Sequence, residues 1–333
     1  KQLVVDVNKD EEDYEEGEGA TDIAMSFLGD GKKLVHIQLD GNISPKELKE
    51  AIQLGKKTSK KIIEIQTKAL KESIEITPNS SEASTNLAIA YNYNNEFENS
   101  KIYFEKALKN TNNFDEELNI IFNYANLLAY NNKFDQAIEK YKSCLKGDKE
   151  YIPAIFNLAL TFISKNNIKE AINYFLQVNN YKAYYLLAWC HNYLQEYDKS
   201  ISYLEKSIEL NNNSIESLIF LSDLYNKNNP LKVIELLEKV MKINEERDIK
   251  IESDKLWKIY NNIGASYITI KNFQKAKEYL SKAENIQPES SEVKLNLAIA
   301  FYLNNEKEIS ESYLKRISNQ DYQNSFEKFK TLD

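Results

Sequence analysis

The chain has few residues that break or cross-link a backbone. Its 333 residues include only 8 glycines and 5 prolines. That excludes a collagen-like or low-complexity chain and leaves room for long uninterrupted helices. There are two cysteines, Cys144 and Cys190, both inside apolar helical patterns. They read as small core residues rather than a disulfide framework or a metal pair. Of the two histidines, His36 lies in a strand-like run and His191 at an inner helical position. Neither has Cys, Asp or Glu partners at ligand spacing, so no metal site is expected and each reads as a core or wall residue. There is no glycine-rich phosphate loop, no Ser-His-Asp or Cys-His set can be assembled, and no cofactor is expected. No run of 18 apolar residues offers a membrane span, and no signal-peptide pattern opens the chain. A reduced, intracellular, cytoplasmic protein is expected.

Aromatic residues are plentiful. With 22 Tyr and 14 Phe in a chain that is 42% hydrophobic, the composition fits helices that pack through ring contacts. Charge is unevenly spread: residues 1–44 hold most of the net charge of -8, and the remainder is close to neutral. Five of the glycines (Gly17, Gly19, Gly29, Gly31 and Gly41) lie in that same first segment. Two composition regimes imply two different structural pieces.

The larger piece is repetitive. Ser81–Leu108 (SEASTNLAIAYNYNNEFENSKIYFEKAL) and Ser291–Ile317 (SEVKLNLAIAFYLNNEKEISESYLKRI) share "NLAIA", an aromatic and "NN". Anchoring each copy on an apolar–small step gives Leu87, Tyr124, Leu158, Leu187, Leu221, Ile263 and Leu297, spaced 37, 34, 29, 34, 42 and 34 apart. The small partners are Ala88, Ala125, Ala159, Ala188, Ser222, Gly264 and Ala298, and a bulky residue follows three positions later. In the second half of each copy a small residue recurs (Ser100, Ala137, Ala171, Ser200, Ala276 and Ser310, with Val233 in copy five) and a large one follows four positions on. A recurrence of 34 residues built this way resembles the tetratricopeptide family, over about residues 80–317. The resemblance implies a mainly α fold: a superhelix, or solenoid, of seven antiparallel helix pairs, 14 helices in all. Small residues at fixed places let the two helices of a pair cross closely, and each repeat covers its neighbour's apolar face. The 29-residue step predicts a shortened second helix in copy three near Val178–Asn180. The 42-residue step inserts the charged stretch Glu245–Lys255, and Pro230 interrupts the turn of copy five. Tyr322, Phe326 and Phe329 at helical spacing predict a capping helix over 318–333.

Residues 1–43 read as strands split by acidic, glycine-rich turns. Ser44-Pro45-Lys46-Glu47 then starts a helix, with serine at the N-cap and proline at the first helical position. The helix is expected to run to about Ile76, its last turns doubling as half of a degenerate first repeat. The order "VVDVNKDEEDY…TDIAMSFL…KKLVHIQLDG" resembles the C-terminal end of an RNase PH-like catalytic subunit of the exosome, over about residues 3–72. Residues 1–76 are thus expected to be a small partial α/β segment of that kind, from a chain that begins mid-pattern at Lys1. In that family two carboxylates of this stretch serve phosphorolytic RNA degradation, and the matching positions are Asp13 and Asp22. The gap between them is three residues longer here, and the family's phosphate-binding arginines lie upstream of the stretch. A phosphate site without cations does not hold an anion. Catalysis by this chain alone is therefore not expected, and Asp10–Glu18 reads as a solvated acidic loop.

In the tetratricopeptide architecture the first helix of each pair lines a concave groove. One position before the anchor stand Asn86, Asn123, Asn157, Asn262 and Asn296, amides able to donate to and accept from a peptide backbone; packing between helices is an equally good reading of them. Asn126 lies on the same face. Phe122, Phe156, Tyr185, Trp189 and Phe220 cluster in copies two to five, more rings than the core pattern requires, and read as an apolar contact surface. The expected partner is a protein or peptide segment, and the N-terminal resemblance adds exosome subunits. The groove lacks the basic stripe that nucleic acid needs, and no lysine or arginine stands where a clamp for a carboxylate would be. Direct nucleic-acid binding and a membrane partner are not expected. The function expected is that of a scaffold, with the C-terminal part of an exosome-type phosphorolytic 3'-5' exoribonuclease carrying a repeat array as the alternative.

Overall fold

The computed structural model describes residues 22–28, 33–40, 44–226, 228–246, 251–317 and 319–332, with backbone alone for the two strands. Those strands, β1 (Asp22–Leu28) and β2 (Lys33–Asp40), pair antiparallel, Asp22 opposite Asp40 and Ser26 opposite His36. The long helix α1 (Pro45–Ile76) follows. Its start is the expected one: Ser44 Oγ accepts from the Glu47 N–H at 3.3 Å, and Glu47 Oε2 accepts from the Ser44 N–H at 2.9 Å, a reciprocal capping box.

Fourteen helices come next in alternating short connections: α2 (Ser81–Tyr93), α3 (Phe97–Asn110), α4 (Phe114–Tyr130), α5 (Phe134–Gly147), α6 (Ile152–Ser164), α7 (Ile168–Phe175), α8 (Tyr181–Tyr193), α9 (Tyr197–Leu210), α10 (Ile215–Tyr225), α11 (Pro230–Glu246), α12 (Ser253–Thr269), α13 (Phe273–Ile286), α14 (Ser291–Leu303) and α15 (Lys307–Lys315). A last helix, α16, spans Gln320–Leu332. The chain divides into two compact units, residues 1–174 and 175–333. Within each, a first helix packs on its own second helix, and the second helix packs on the next first helix.

The turn inside each pair has a common chemistry. Asn95, Asn132, Asn166, Gln195, Lys271 and Asn305 all have φ between 57° and 65°, a left-handed conformation that asparagine tolerates better than most side chains. The next N–H bonds back to the carbonyl of the bulky first-helix residue, as in Glu96 to Tyr91 and Glu196 to His191, both 2.9 Å. This is the helix-ending motif in which a left-handed residue lets orphan carbonyls be satisfied. The fifth turn is the exception: the Asn228 and Asn229 N–H groups reach Tyr225, and Pro230 opens α11.

Spacing anomalies are absorbed in helix length. Helix α7 has 8 residues against 14 in α3, the shortening expected in copy three. Around the charged insertion, α11 and α12 each have 17 residues, so much of the extra chain is taken up as additional helical turns.

The anchor residues form the core. Leu87, Leu158, Leu187, Ile263 and Leu297 are fully buried, with Ala88, Ala125, Ala159, Ala188 and Ala298 beside them. At the crossing, Ser100, Ser200 and Ser310 donate to the carbonyls of Ala88, Ala188 and Ala298 at 2.6, 2.8 and 2.7 Å. Gly264 solves the same crossing by having no side chain: a Cβ there would lie 2.5 Å from Leu280 Cγ. Helix α1 joins the first repeat through Leu70 and Ile74, which pack against Ala83, Leu87 and Tyr91. Ile62 and Ile65, further up α1, are exposed. Helix α16 buries Phe326, whose ring stands 5.7 Å from that of Tyr302.

Candidate functional site

The residues that sequence places on one face of the first helices fall into two sets, one in each unit. In the first unit, Phe122 on α4 and Phe156 on α6 are half-buried. Phe122 meets the Tyr151 ring edge-on at 5.5 Å and lies 6.1 Å from Tyr141. In the second unit, Tyr185 and Trp189 on α8 and Phe220 on α10 are half-buried too. Tyr185 meets Phe220 edge-on at 6.0 Å, and Trp189 stacks on Tyr193 at 5.7 Å. Burial and the Glu216 carboxylate push the Tyr185 hydroxyl pKa up, against Lys255, so it stays a neutral donor.

The asparagines divide by role. Asn157 Nδ2 donates to Asn126 Oδ1 at 2.8 Å, tying α6 to α4. Asn296 Nδ2 donates to Asn261 Oδ1 at 2.9 Å, tying α14 to α12. Asn123 bonds within its own helix, to Asn119. Asn86 is exposed and Asn262 half-buried. For Asn157 and Asn296, packing between repeats is therefore the role found.

Around the first tie lies a cleft of about 250 Å³ between α4, α5 and α6. Its lining includes Asn126, Asn157 and Tyr141, with the Tyr141 hydroxyl donating to Asn126 Oδ1 at 2.6 Å. Burial raises the Tyr141 pKa, the neighbouring Asn157 and Thr161 opposing it. The tyrosine therefore remains a protonated donor.

Sequence reasoning missed a regular feature of the pairs. A second-helix tyrosine stacks on the bulky first-helix residue 12 positions before it: Tyr103 on Tyr91, Tyr174 on Phe162, Tyr203 on His191, Tyr279 on Tyr267 and Tyr313 on Phe301, with centroids 5.2–5.7 Å apart. The recurrence of tyrosine at that spacing was the available signal. It explains His191, which is buried, stacked, and bonded through Nδ1 to Glu196 Oε2 at 2.6 Å. The carboxylate answering it is five residues away across the turn, a partner that helical ligand spacing does not reveal.

Both cysteines are free and buried, with burial pushing their thiols up to about 11 for Cys144 and about 12 for Cys190. Such thiols are poor nucleophiles. Among the described residues no group of three His, Cys, Asp or Glu side chains could hold a metal, and no helix is long and apolar enough to cross a membrane. Asp13 lies outside the described residues. Asp22 opens β1, where only the backbone is described.

With that geometry in place, the comparisons assign each piece. The chain carries tetratricopeptide repeats: the profile described as "Tetratricopeptide repeat" matches residues 81–114, 152–180, 181–214 and 258–290. The C-terminal part of a TPR repeat-containing protein from Cytophaga hutchinsonii superposes with a TM-score of 0.59 at 18% identity, covering 71% of this chain and 98% of that one. At that identity the likeness speaks to the fold alone.

The N-terminal segment has a different kinship. The profile described as "3' exoribonuclease family, domain 2" matches residues 1–58. An exosome complex component Rrp41 from Methanosarcina mazei is 38% identical over 73 residues, 22% of this chain and 14% of the relative. The Rrp41 of Methanopyrus kandleri is 37% identical over 59 residues, 18% of this chain and 25% of the relative. The chain thus spans a quarter or less of the length of these two relatives.

Proposed function

We propose that this protein is a cytoplasmic scaffold whose repeats hold a segment of a partner protein on the faces of the first helices. The observation that carries this reading is the set of rings at Phe122, Phe156, Tyr185, Trp189 and Phe220, half-buried on first helices whose core positions are already filled. Large, partly exposed rings are the usual anchors of protein interfaces. Once a partner is in hand, Trp189→Ala should weaken binding by about 2 kcal/mol or more, the ordinary loss at such an anchor. Affinity should change little from low to high salt, since uncharged rings and amides are barely screened. Unchanged binding in the variant, or a steep salt dependence, would refute the reading.

A second reading rests on the exoribonuclease-family match over residues 1–58 and the Rrp41 likeness. In it the first segment belongs to an exosome-type phosphorolytic ribonuclease, and the repeats recruit other subunits. Asp13 and Asp22 would then serve RNA phosphorolysis with arginines from chain outside this sequence. Co-purification with RNase PH-like subunits, lost on removing residues 1–76, tests it; capture that survives the removal contradicts it.

A further inference from the structure

Helix α1 has a stretch charged with one sign. From Ala51 to Ile63 there are four lysines, Lys56, Lys57, Lys60 and Lys61, and no acidic residue, in a chain whose net charge is -8. All four are exposed, as is Lys49. Lys49, Lys56 and Lys60 stand at intervals of seven and four, which places them on one face of the helix. Lys57 and Lys61, again four apart, flank that face. Among the described residues none of these five has an ion pair or lies over a ring, and Glu64, one turn past Lys60, pairs with none of them. Further along the same helix the lysines are engaged: Lys68 pairs with Glu72 at 3.8 Å, and Lys71 lies over the Tyr91 ring at 5.2 Å. Like charges three and four residues apart weaken a helix taken alone, so helical stability does not explain the cluster. Docking on the first repeat does not explain it either, since Leu70 and Ile74 make that contact beyond the lysines.

A row of uncompensated cations about 16 Å long is complementary to a row of phosphates. We propose that this face of α1 is a contact for single-stranded RNA, held through its phosphate backbone by Lys49, Lys56, Lys57, Lys60 and Lys61 without regard to base sequence. Lysine suits that task, because its ammonium is a point charge on a flexible stem and imposes no base geometry. A single strand can bend to follow one such row. The expectation against nucleic acid concerns the repeat groove, and α1 precedes the repeats. The exoribonuclease-family match over residues 1–58 includes Lys49, Lys56 and Lys57, so the choice of RNA among polyanions rests on the second reading above.

The test is the fluorescence anisotropy of a labelled oligouridylate of about 15 nucleotides, titrated with the full chain in phosphate-free buffer so that no phosphorolysis occurs. Binding should weaken as salt rises, and the slope of log K against log salt should flatten by about 0.7 for each phosphate contact removed. Lys57→Glu with Lys60→Glu should weaken binding by about fivefold or more and flatten that slope. Lys142→Glu with Lys146→Glu, at exposed positions on α5, changes the net charge equally and should weaken binding by less than about twofold. Lys57→Arg with Lys60→Arg keeps the charge and should bind like the parent chain, which separates loss of charge from loss of fold. Absence of binding, equal losses in the α1 and α5 variants, or an arginine variant as weak as the glutamate one overturns the contact. Binding of a polyglutamate peptide in place of the oligonucleotide would assign the lysines to an acidic protein segment and overturn it too. RNA binding that behaves as expected, with no RNase PH-like subunit co-purifying, upholds the contact and sinks the second reading. Co-purification of such subunits, with RNA binding indifferent to the α1 variants, sinks the contact alone.

Discussion

Each unit ties two repeats through an asparagine one position before the anchor, and the ties are finished differently. In the first, Asn157 donates to Asn126, and both residues line a cleft. In the second, Asn296 donates to Asn261, and the Asn261 amide is used up by Glu292 Oε1 at 2.8 Å. Asn261 is 2% exposed, whereas Asn126 is only half-buried. A carboxylate at the start of α14 thus converts an open amide into a closed structural bond. An Asn on a first-helix face is therefore not by itself a ligand contact; what decides is whether the chain supplies the second partner.

The severest way to disturb the closed tie is to move the helix that carries it. Gly264 lies three residues after Asn261 on α12, and a Cβ there would stand 2.5 Å from Leu280 Cγ and 2.8 Å from its Cδ2. Gly264→Ala should destabilise the second unit by about 1–3 kcal/mol through overpacking, read by urea unfolding. A neutral outcome would mean that α12 and α13 separate freely and the tie is not rigid.

Removing the amides themselves sharpens the contrast. Asn261→Ala strands the Asn296 donor and the Glu292 acceptor in a buried place, and should cost about 2 kcal/mol. Asn126→Ala strands Tyr141 and Asn157 beside a cleft that water can enter, and should cost about 1 kcal/mol. The reverse order would show that the cleft is the tighter of the two. The crossing serines give a control within the comparison. Ser100→Ala and Ser200→Ala each remove one buried bond to an alanine carbonyl, so each should cost about 1 kcal/mol, alike in both units. Unequal losses would mean that the units differ in more than their amides.

How much of this could be read in the sequence depends on the range of the interaction. The helix pairs, the short α7 and the small-residue crossings are periodic and legible from the repeat spacing, and the start of α1 at Ser44 is legible from local capping chemistry. Glycine 264 is legible because one position out of seven has lost its side chain altogether. The use made of Asn157 and Asn296 was not legible, because a partner one repeat away (Asn126, Asn261) does not stand at a fixed register: it is two residues after the anchor in one case and two before it in the other. The tyrosine stacks were periodic and still escaped notice, being one residue away from the core position on which the repeats were aligned. The docking of α1 through its last turns follows from the same periodicity. Leu70 and Ile74 make the contact, since the helical period brings those two to the face toward Leu87, while Ile62 and Ile65 point elsewhere.

The smallest expected effect concerns a carboxylate that does for the first unit what Glu292 does for the second. Glu116, near the start of α4, accepts from Ser81 Oγ on α2 and from Thr111 Oγ1 at 2.7 Å, so it joins the first two repeats. These two hydroxyl bonds, that from Ser81 first, hold its carboxyl below the ordinary value of 4.5, against a small opposing effect of burial. A group whose pKa is depressed by folding contributes stability above its unfolded pKa and loses it as pH falls through the folded one. The contribution should be fully present at neutral pH and should fade below about pH 4.5. Glu116→Gln keeps an acceptor but cannot ionise. Its melting temperature should be slightly lower than that of the unaltered chain at pH 7, and the gap should close as the pH is lowered toward 3. Other carboxylates titrate in the same window, so the variant must be compared with the parent chain at each pH. A gap that persists unchanged at pH 3 would mean that Glu116 acts through packing and not through its charge, and that the two units close their repeat junctions by different means.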